Sequence, residues 1–184
     1  MNAGRLVYRT RQFWQALRIA PLPDDLEMAA PMLSPPQLSL FRSMPAGEQA
    51  HGLRVWRALQ DGGECDTDLS TAALLHDAGK SQFPLSPWER VLIVVVETVC
   101  PACLRRWGSA AEKSPQEGYG WRKPFVVAVQ HPAWGAGLAA AAGSSPEAAA
   151  LIRRHQEKLP TPGNKPESKE FRRLRLLQAV DDNS

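Results

Sequence analysis

Residues 69–80 read LSTAALLHDAGK, and the prediction of the fold starts from this stretch. Its apolar run, residues 72–75, is typical of the last turns of a buried helix. Gly79 follows that run, and glycine commonly stands just past a helix end because it adopts the left-handed conformation. The adjacent pair His76 and Asp77 therefore lies where a buried helix ends. Since a buried charge is costly without a partner, the pair predicts either a charged neighbour or a metal ion.

The composition predicts one globular domain and excludes several classes of protein. A length of 184 residues with 43% hydrophobic residues is ordinary for a domain with a full core. The net charge of +3 favours phosphate-bearing ligands slightly, but it is too small to predict nucleic-acid binding. The N-terminus lacks the continuous apolar core of a secretory signal, and the most apolar window, residues 91–103, is too short to span a bilayer. We therefore expect a cytoplasmic protein without a membrane partner, in which residues 91–103 form a buried helix.

The three cysteines are Cys65, Cys100 and Cys103, an odd number that fits a reducing cytosol. The sequence Cys-Pro-Ala-Cys at residues 100–103 has the form of a redox dithiol or of half a zinc site. No second pair completes a four-thiolate site, and no βαβ pattern surrounds the motif. We expect Cys100 and Cys103 to be ordinary residues within a helix.

The pattern of apolar residues and helix-ending residues predicts an all-α fold, a compact helical bundle without a clear strand. Residues 1–40 are proline-rich and are interpreted as an arm that packs on the domain, and residues 41–184 form the domain itself. Pro132 disfavours helix at the residue before it, so one predicted helix ends at His131. Besides the helix that ends at His76, helices are expected at residues 8–19, 37–44, 47–60, 84–107, 121–130, 133–142, 144–155 and 167–182.

All four histidines lie at inward-facing or helix-terminal positions. His51 shares one helical face with Val55 and Leu59, and Asp181 shares one with Leu174 and Leu177. Neutral imidazoles combined with carboxylates suit divalent ions such as Fe, Mn or Zn. Six such side chains exceed the need of one tetrahedral zinc, which favours a two-metal site with a bridging carboxylate. The candidate metal ligands are His51, His76, Asp77, His131, His155 and Asp181.

In this order of ligands the sequence resembles the HD superfamily of metal-dependent phosphohydrolases. The motifs that carry the resemblance are LLHDAGK at residues 74–80, HPAWGAGLA at 131–139 and LIRRHQE at 151–157, and the resemblance covers the chain from residue 41 to its end. It implies an all-helical domain that binds one or two divalent metal ions between its helices. By this resemblance, one ion would be held by His51, His76, Asp77 and Asp181, and the other by His131 and His155, with Asp77 bridging.

The sequence departs from the family pattern in two places. Gln156 stands where branches that cleave cyclic dinucleotides often have a second histidine, and residues 159–162 replace a Gly-Tyr-Pro signature of one such branch. Both differences argue against cyclic di-GMP as the substrate. Asp182 is an alternative to Asp181 as the last ligand, but the apolar stripe of the helix favours Asp181.

The expected activity is hydrolysis of a small phosphoester, with a nucleotide as one candidate substrate, by a metal-activated hydroxide. Asp77 and Lys80 are the expected catalytic residues. Lys80, Arg153 and Arg154 are the expected phosphate-binding residues, although each could instead belong to a solvated helix face. The expected cofactor is one or two divalent ions from among Fe, Mn, Zn, Co, Ni and Mg.

Two other functions are compatible with the same ligands. Some HD-fold proteins use a di-iron centre to activate oxygen, and the identity of the ligands does not separate that class from the hydrolases. The domain could also be a non-catalytic metal-containing module for binding or regulation. Iron content and oxygen-dependent turnover would indicate the first alternative, and stable complexes without turnover would indicate the second.

Overall fold

The computed structural model describes residues 23–64, 66–109, 119–159 and 168–184. Within these ranges the chain forms nine α-helices and no strand, which confirms the predicted all-α bundle. The predicted helix at residues 8–19 lies outside the described residues. The helices are α1 (Pro23–Ala29), α2 (Pro35–Ser43), α3 (Ala46–Asp61), α4 (Thr67–Leu75), α5 (Pro87–Val99), α6 (Pro101–Gly108), α7 (Lys123–Ala141), α8 (Pro146–Arg154) and α9 (Lys169–Asp181).

Helix α4 lies at the centre of the bundle. Asp66 caps its N-terminus, because its Oδ1 accepts a hydrogen bond of 3.1 Å from the backbone N–H of Leu69. Every residue from Leu69 to Leu75 is buried. The helix packs against α3 and α8, and the 3-10 turn that follows it, Ala78–Gln82, packs against α7. The core therefore closes around the end of α4, where the His76-Asp77 pair stands.

The chain before residue 41 contributes to the same core where it is described. Ala29 and Leu33 belong to one buried cluster with Phe41 and Leu74. Ser34 begins α2 with a capping box, in which the Gln37 side chain accepts a 2.8 Å hydrogen bond from the Ser34 backbone N–H. Residues 29–41 thus lie against the bundle.

Two glycines allow backbones to approach closely around the end of α4. A Cβ on Gly52 of α3 would lie 3.0 Å from the carbonyl oxygen of Leu74. A Cβ on Gly79 would overlap the carbonyl oxygen of His131 in α7 and would lie 2.7 Å from the backbone nitrogen of Gly135. No larger side chain fits at Gly79 without moving α7 away from the turn.

The structure corrects the expectation that Pro132 separates two helices, since α7 continues through Pro132 as one helix of 19 residues. A proline inside a helix leaves the carbonyl four residues earlier without its usual N–H donor. Here that carbonyl belongs to Ala128, and Nδ1 of His131 lies 3.1 Å from its oxygen and 2.9 Å from that of Val127. The imidazole N–H therefore replaces the donor that Pro132 lacks.

A second correction concerns the single helix predicted at residues 84–107. The chain breaks at Cys100, which has extended φ of −143°, and two helices result, α5 and α6. Pro101 explains the break, because proline disfavours helix at the residue before it and starts a new helix well. Cys100 and Cys103 are joined by a disulfide across this corner, so the expectation of two cysteines inside one continuous helix is wrong.

Helix α5 also differs from the expected buried helix. A capping box starts the helix, with Glu89 accepting from the backbone N–H of Ser86 at 2.7 Å. Its apolar residues, however, are only partly covered by α6 and α7, and Val99 is 64% exposed. Of the residues in α5, Glu89 alone is fully buried. The apolar side chains of α5 face a pocket and the surface instead of the core.

We predict that Gly79→Ala destabilises the protein by about 3 kcal/mol or more, because the added methyl group overlaps backbone atoms that cannot rotate away. The melting temperature should fall by about 10 °C. Thermal unfolding followed by circular dichroism in the presence of a chelator checks this, since no change in metal binding then contributes.

Gly137→Ala is the matched control on α7, because nothing lies within 4 Å of the added Cβ. Replacement of a glycine inside a helix by alanine should raise stability by roughly 0.5–1 kcal/mol. Equal melting temperatures for Gly79→Ala and the unaltered protein would contradict the close contact between the turn and α7.

Candidate metal centre

Five helices deliver the six predicted ligand residues to one buried place. His51 comes from α3, and Asp181 is the last residue of α9. The remaining two histidines are His131 on α7 and His155 at the end of α8. Ring centroids of successive histidines in the series 51, 76, 155 and 131 lie 5.1–5.2 Å apart. The structure thus brings together all four histidines.

Three of the imidazoles are oriented by hydrogen bonds to helix carbonyl groups. Nδ1 of His76 lies 2.9 Å from the oxygen of Ala73, and Nδ1 of His155 lies 2.8 Å from that of Ile152. Both residues stand at helix C-termini, where the last carbonyls have no intrahelical donor. His131 uses the carbonyl left free by Pro132. In each case the N–H is placed on Nδ1, and Nε2 points to the centre of the site.

The Nε2 atoms of His76 and His131 are buried and have no hydrogen-bond partner. His76 and His131 are each only 1% exposed. A buried polar atom without a partner costs about 1–3 kcal/mol. Histidine metal ligands have this arrangement, with one ring nitrogen donating to a carbonyl and the other free for the ion. The donor set therefore fits a divalent metal ion.

Among the residues that the structure describes, two groups of ligand atoms can hold an ion, and they share Asp77. The first consists of His51, His76 and Asp77, and the second of Asp77, His131 and His155. Within each group the ligand atoms lie within 4.8 Å of one another. Oδ2 of Asp77 is 3.5 Å from Nε2 of His76, whereas Oδ1 is 3.4 Å from Nε2 of His131. The two carboxylate oxygens thus face different groups, as a bridging ligand requires.

Asp181, and not Asp182, points into the site. Its Oδ1 lies 2.7 Å from Nε2 of His51 and 3.4 Å from Nε2 of His76. Asp182 is exposed and follows the last turn of α9. Burial alone would raise the pKa of Asp181, but the neighbouring imidazoles of His51 and His76 hold that pKa well below its ordinary value. Asp181 therefore stays ionised beside the first group of ligands.

The charges of the site differ among the histidines. Burial opposes protonation of His76, but the carboxylates of Asp77 and Asp181 outweigh it and raise its pKa to about 9. Burial, together with the neighbouring His76 and His131, lowers the pKa of His155 to about 3. At neutral pH without an ion, His76 therefore carries a proton between two carboxylates, and His155 is neutral. A bound cation would take the place of that proton.

Lys80 and two residues not identified from the sequence, Glu48 and Arg90, form a chain of charges next to Asp77. Nζ of Lys80 lies 2.6 Å from Oδ2 of Asp77 and 3.3 Å from Oε2 of Glu48. Arg90 donates to the other oxygen of Glu48 at 2.5 Å. Glu48 is only 4% exposed and stands three residues before His51 on the same face of α3. The spacing of three residues from His51 could have identified Glu48 from the sequence. Arg90 offers no such pattern, since it is only a charged residue before an apolar run.

A pocket with a cavity volume of about 180 Å³ opens beside this chain of charges. His131 forms part of its wall, so the pocket reaches the second group of ligands. Its charged residues are Lys80, Arg90 and Glu97, and most of the remaining wall is apolar. The lining residues are Lys80, Leu85, Arg90, Ile93, Val94, Glu97, Leu104, Val127, Ala128, His131 and Gln156.

Arg153 and Arg154 are the other two expected phosphate-binding residues. Arg153 is exposed. Arg154 forms ion pairs with Glu157 and Glu170, and the Glu157 contact is the larger cause of its raised pKa. Neither arginine lines the pocket beside His131.

No protein-family model, no curated protein and no solved structure matches the chain. The part of the chain that the structure describes contains no helix with the length and apolar character needed to cross a membrane. The candidate metal centre therefore rests on its geometry.

We predict that Asp77→Ala removes nearly all bound metal, because Asp77 is the one side chain shared by both groups of ligands. His131→Ala should lose about one metal equivalent per chain and keep the first group at least partly filled. Elemental analysis of protein that has been stripped with a chelator and reloaded with Mn, Fe, Co, Ni or Zn measures both effects. Circular dichroism must first show that each variant retains its helical fold.

Asp181→Ala and Asp182→Ala form a matched pair on neighbouring residues. The first should weaken metal binding at the first group, and the second should not change it. Full metal content and unchanged melting in folded His131→Ala and Asp77→Ala would show that these two residues are core residues and not metal ligands.

Proposed function

We propose that the protein is a metal-dependent phosphohydrolase of the HD superfamily that acts on a small phosphoester. The observation that carries the proposal is the pair of buried ligand groups that share Asp77, with free Nε2 atoms beside the cationic side chain of Lys80. A dinuclear site next to cations is suited to phosphoryl chemistry. The resemblance in the sequence motifs points in the same direction.

The proposed ligands of one ion are His51, His76, Asp77 and Asp181, and those of the other are Asp77, His131 and His155. Nitrogen and oxygen donors of this kind suit Fe, Mn, Zn, Co or Ni, and Mg remains a candidate through the carboxylates. Divalent ions bound there supply hydroxide at neutral pH and stabilise negative charge on phosphate oxygens. The low pKa of His155 keeps its Nε2 lone pair available at neutral pH.

Lys80 and Arg90 are the proposed phosphate-binding residues. Lys80 has three N–H donors, and Asp77 and Glu48 accept two of them, which leaves one for a phosphate oxygen. Arg90 has five N–H donors, and Glu48 accepts a hydrogen bond from one of them. We assign phosphate binding to Lys80 and Arg90 because they line the pocket next to His131. Arg153 and Arg154 do not line it.

Glu48 is the proposed positioning residue for these two cations. Its two oxygens contact Lys80 and Arg90 separately, so one buried carboxylate holds both cations at the same end of the pocket. With the cations fixed in advance, phosphate binding does not need to order two long side chains.

The test uses protein stripped of metal and reloaded with each candidate ion, assayed against a panel of phosphomonoesters and phosphodiesters. Phosphate or alcohol release should require an added ion. Lys80→Met, compared with the unaltered protein at equal metal content because Lys80 also pairs with Asp77, should reduce kcat/KM by about 10²–10³-fold, as expected for loss of one charge-stabilising donor. Lys169→Met is the matched control, because Lys169 is 77% exposed and does not line the pocket.

Assays under nitrogen separate the hydrolase from a di-iron oxygenase that uses the same ligands. Hydrolysis should proceed without oxygen. Turnover that stops under nitrogen would identify an oxygenase, and metal-loaded protein without turnover across the panel would identify a non-catalytic module.

A further inference from the structure

The pocket beside His131 changes in character along its length. Arg90, Ile93, Val94 and Glu97 all line it from α5, at spacings of three, four and seven residues, which place them on one helical face. A cation therefore stands at one end of this wall, apolar side chains in the middle and a carboxylate at the other end. Arg90 and Glu97 are about 10 Å apart along the helix axis.

The apolar middle of the pocket explains why α5 is so hydrophobic and yet not buried. Residues 91–96 read VLIVVV, but none of them is fully buried. Ile93 and Val94 line the pocket, and Leu104 of α6 and Val127 of α7 complete its apolar surface. An apolar group bound there would remove these side chains from water, which is favourable at about 25 cal/mol per Å².

The same wall is poorly suited to a nucleobase. Proteins commonly hold bases by stacking them on aromatic rings, and among the residues that the structure describes, those that line the pocket include no phenylalanine, tyrosine or tryptophan. Apart from the cations and His131, its polar side chains are Glu97 and Gln156. The carboxylate of Glu97 also opposes a second anionic group at the far end.

We propose that the organic part of the substrate is an aliphatic, uncharged group, so that the natural substrate is a phosphomonoester of an apolar alcohol. This inference rests on the proposed function. The phosphate lies at the Lys80 and Arg90 end, next to the ligands of the second ion. The aliphatic group lies along Ile93, Val94 and Leu104 and ends short of Glu97.

The test measures binding, so that it does not depend on turnover. Alkylphosphonates are the probes, because their carbon–phosphorus bond is not cleaved by a phosphoesterase. Isothermal titration of the metal-loaded protein with methyl-, butyl-, hexyl- and octylphosphonate should give affinities that rise about fourfold for each added methylene until the pocket is full. Adenosine monophosphate should bind no more tightly than methylphosphonate.

Val94→Asp should abolish the dependence on chain length, and this dependence is the readout, because the new carboxylate stands one helical turn from Arg90 and weakens the binding of every phosphonate. Val95→Asp is the matched control, because Val95 is the adjacent residue on α5, is 36% exposed and does not line the pocket. The affinity of Val95→Asp for the phosphonates should still rise with chain length as in the unaltered protein. Both residues already contact solvent, so neither change buries a charge in the core.

The outcomes separate this inference from the proposed function. Affinities that are independent of chain length, or tighter binding of adenosine monophosphate than of octylphosphonate, would overturn the aliphatic substrate even if phosphomonoesters are hydrolysed. A clear dependence on chain length that Val94→Asp removes would support it even if the phosphoester panel shows no turnover, in which case only the hydrolase assignment fails.

Discussion

The candidate site depends on hydrogen bonds between imidazole N–H groups and helix carbonyls that lack their usual donor. At His76 and His155 these carbonyls are free because a helix ends there, and at His131 one is free because Pro132 has no N–H. Each bond places the proton on Nδ1 and turns Nε2 towards the centre. The backbone thereby determines the orientation of these ligands and keeps a proton on Nδ1 before any ion is present.

The buried carboxylate of Asp77 needs a positive charge beside it. Asp77 is buried, and burial alone would raise its pKa, but Lys80 and His76 keep the carboxylate ionised. Gly79 lets α7 approach the turn that carries Asp77, which brings His131 within 3.4 Å of that carboxylate. The close contact of the turn with α7 therefore also determines the distance between His131 and the Asp77 carboxylate.

The sequence predicted the all-α fold and the side chains that converge, because helical periodicity is local information. It placed Asp181, rather than Asp182, on the inward face from the spacing of two leucines alone. It misjudged Pro132 and Pro101 in opposite ways, since whether a proline breaks a helix depends on partners that packing supplies. The contact between Glu48 and Arg90 joins residues 42 positions apart, and no local pattern reports how α3 and α5 lie against each other.

Nuclear magnetic resonance of the ring nitrogens tests the central claim most directly, because the chain has only four histidines. Protein labelled with ¹⁵N and stripped of metal would be titrated with Zn²⁺. We expect the Nε2 resonances of His76, His131 and His155 to shift together towards metal-ligand values, while their Nδ1 atoms stay protonated. Nε2 resonances that do not respond to Zn²⁺, or coordination through Nδ1, would contradict this expectation.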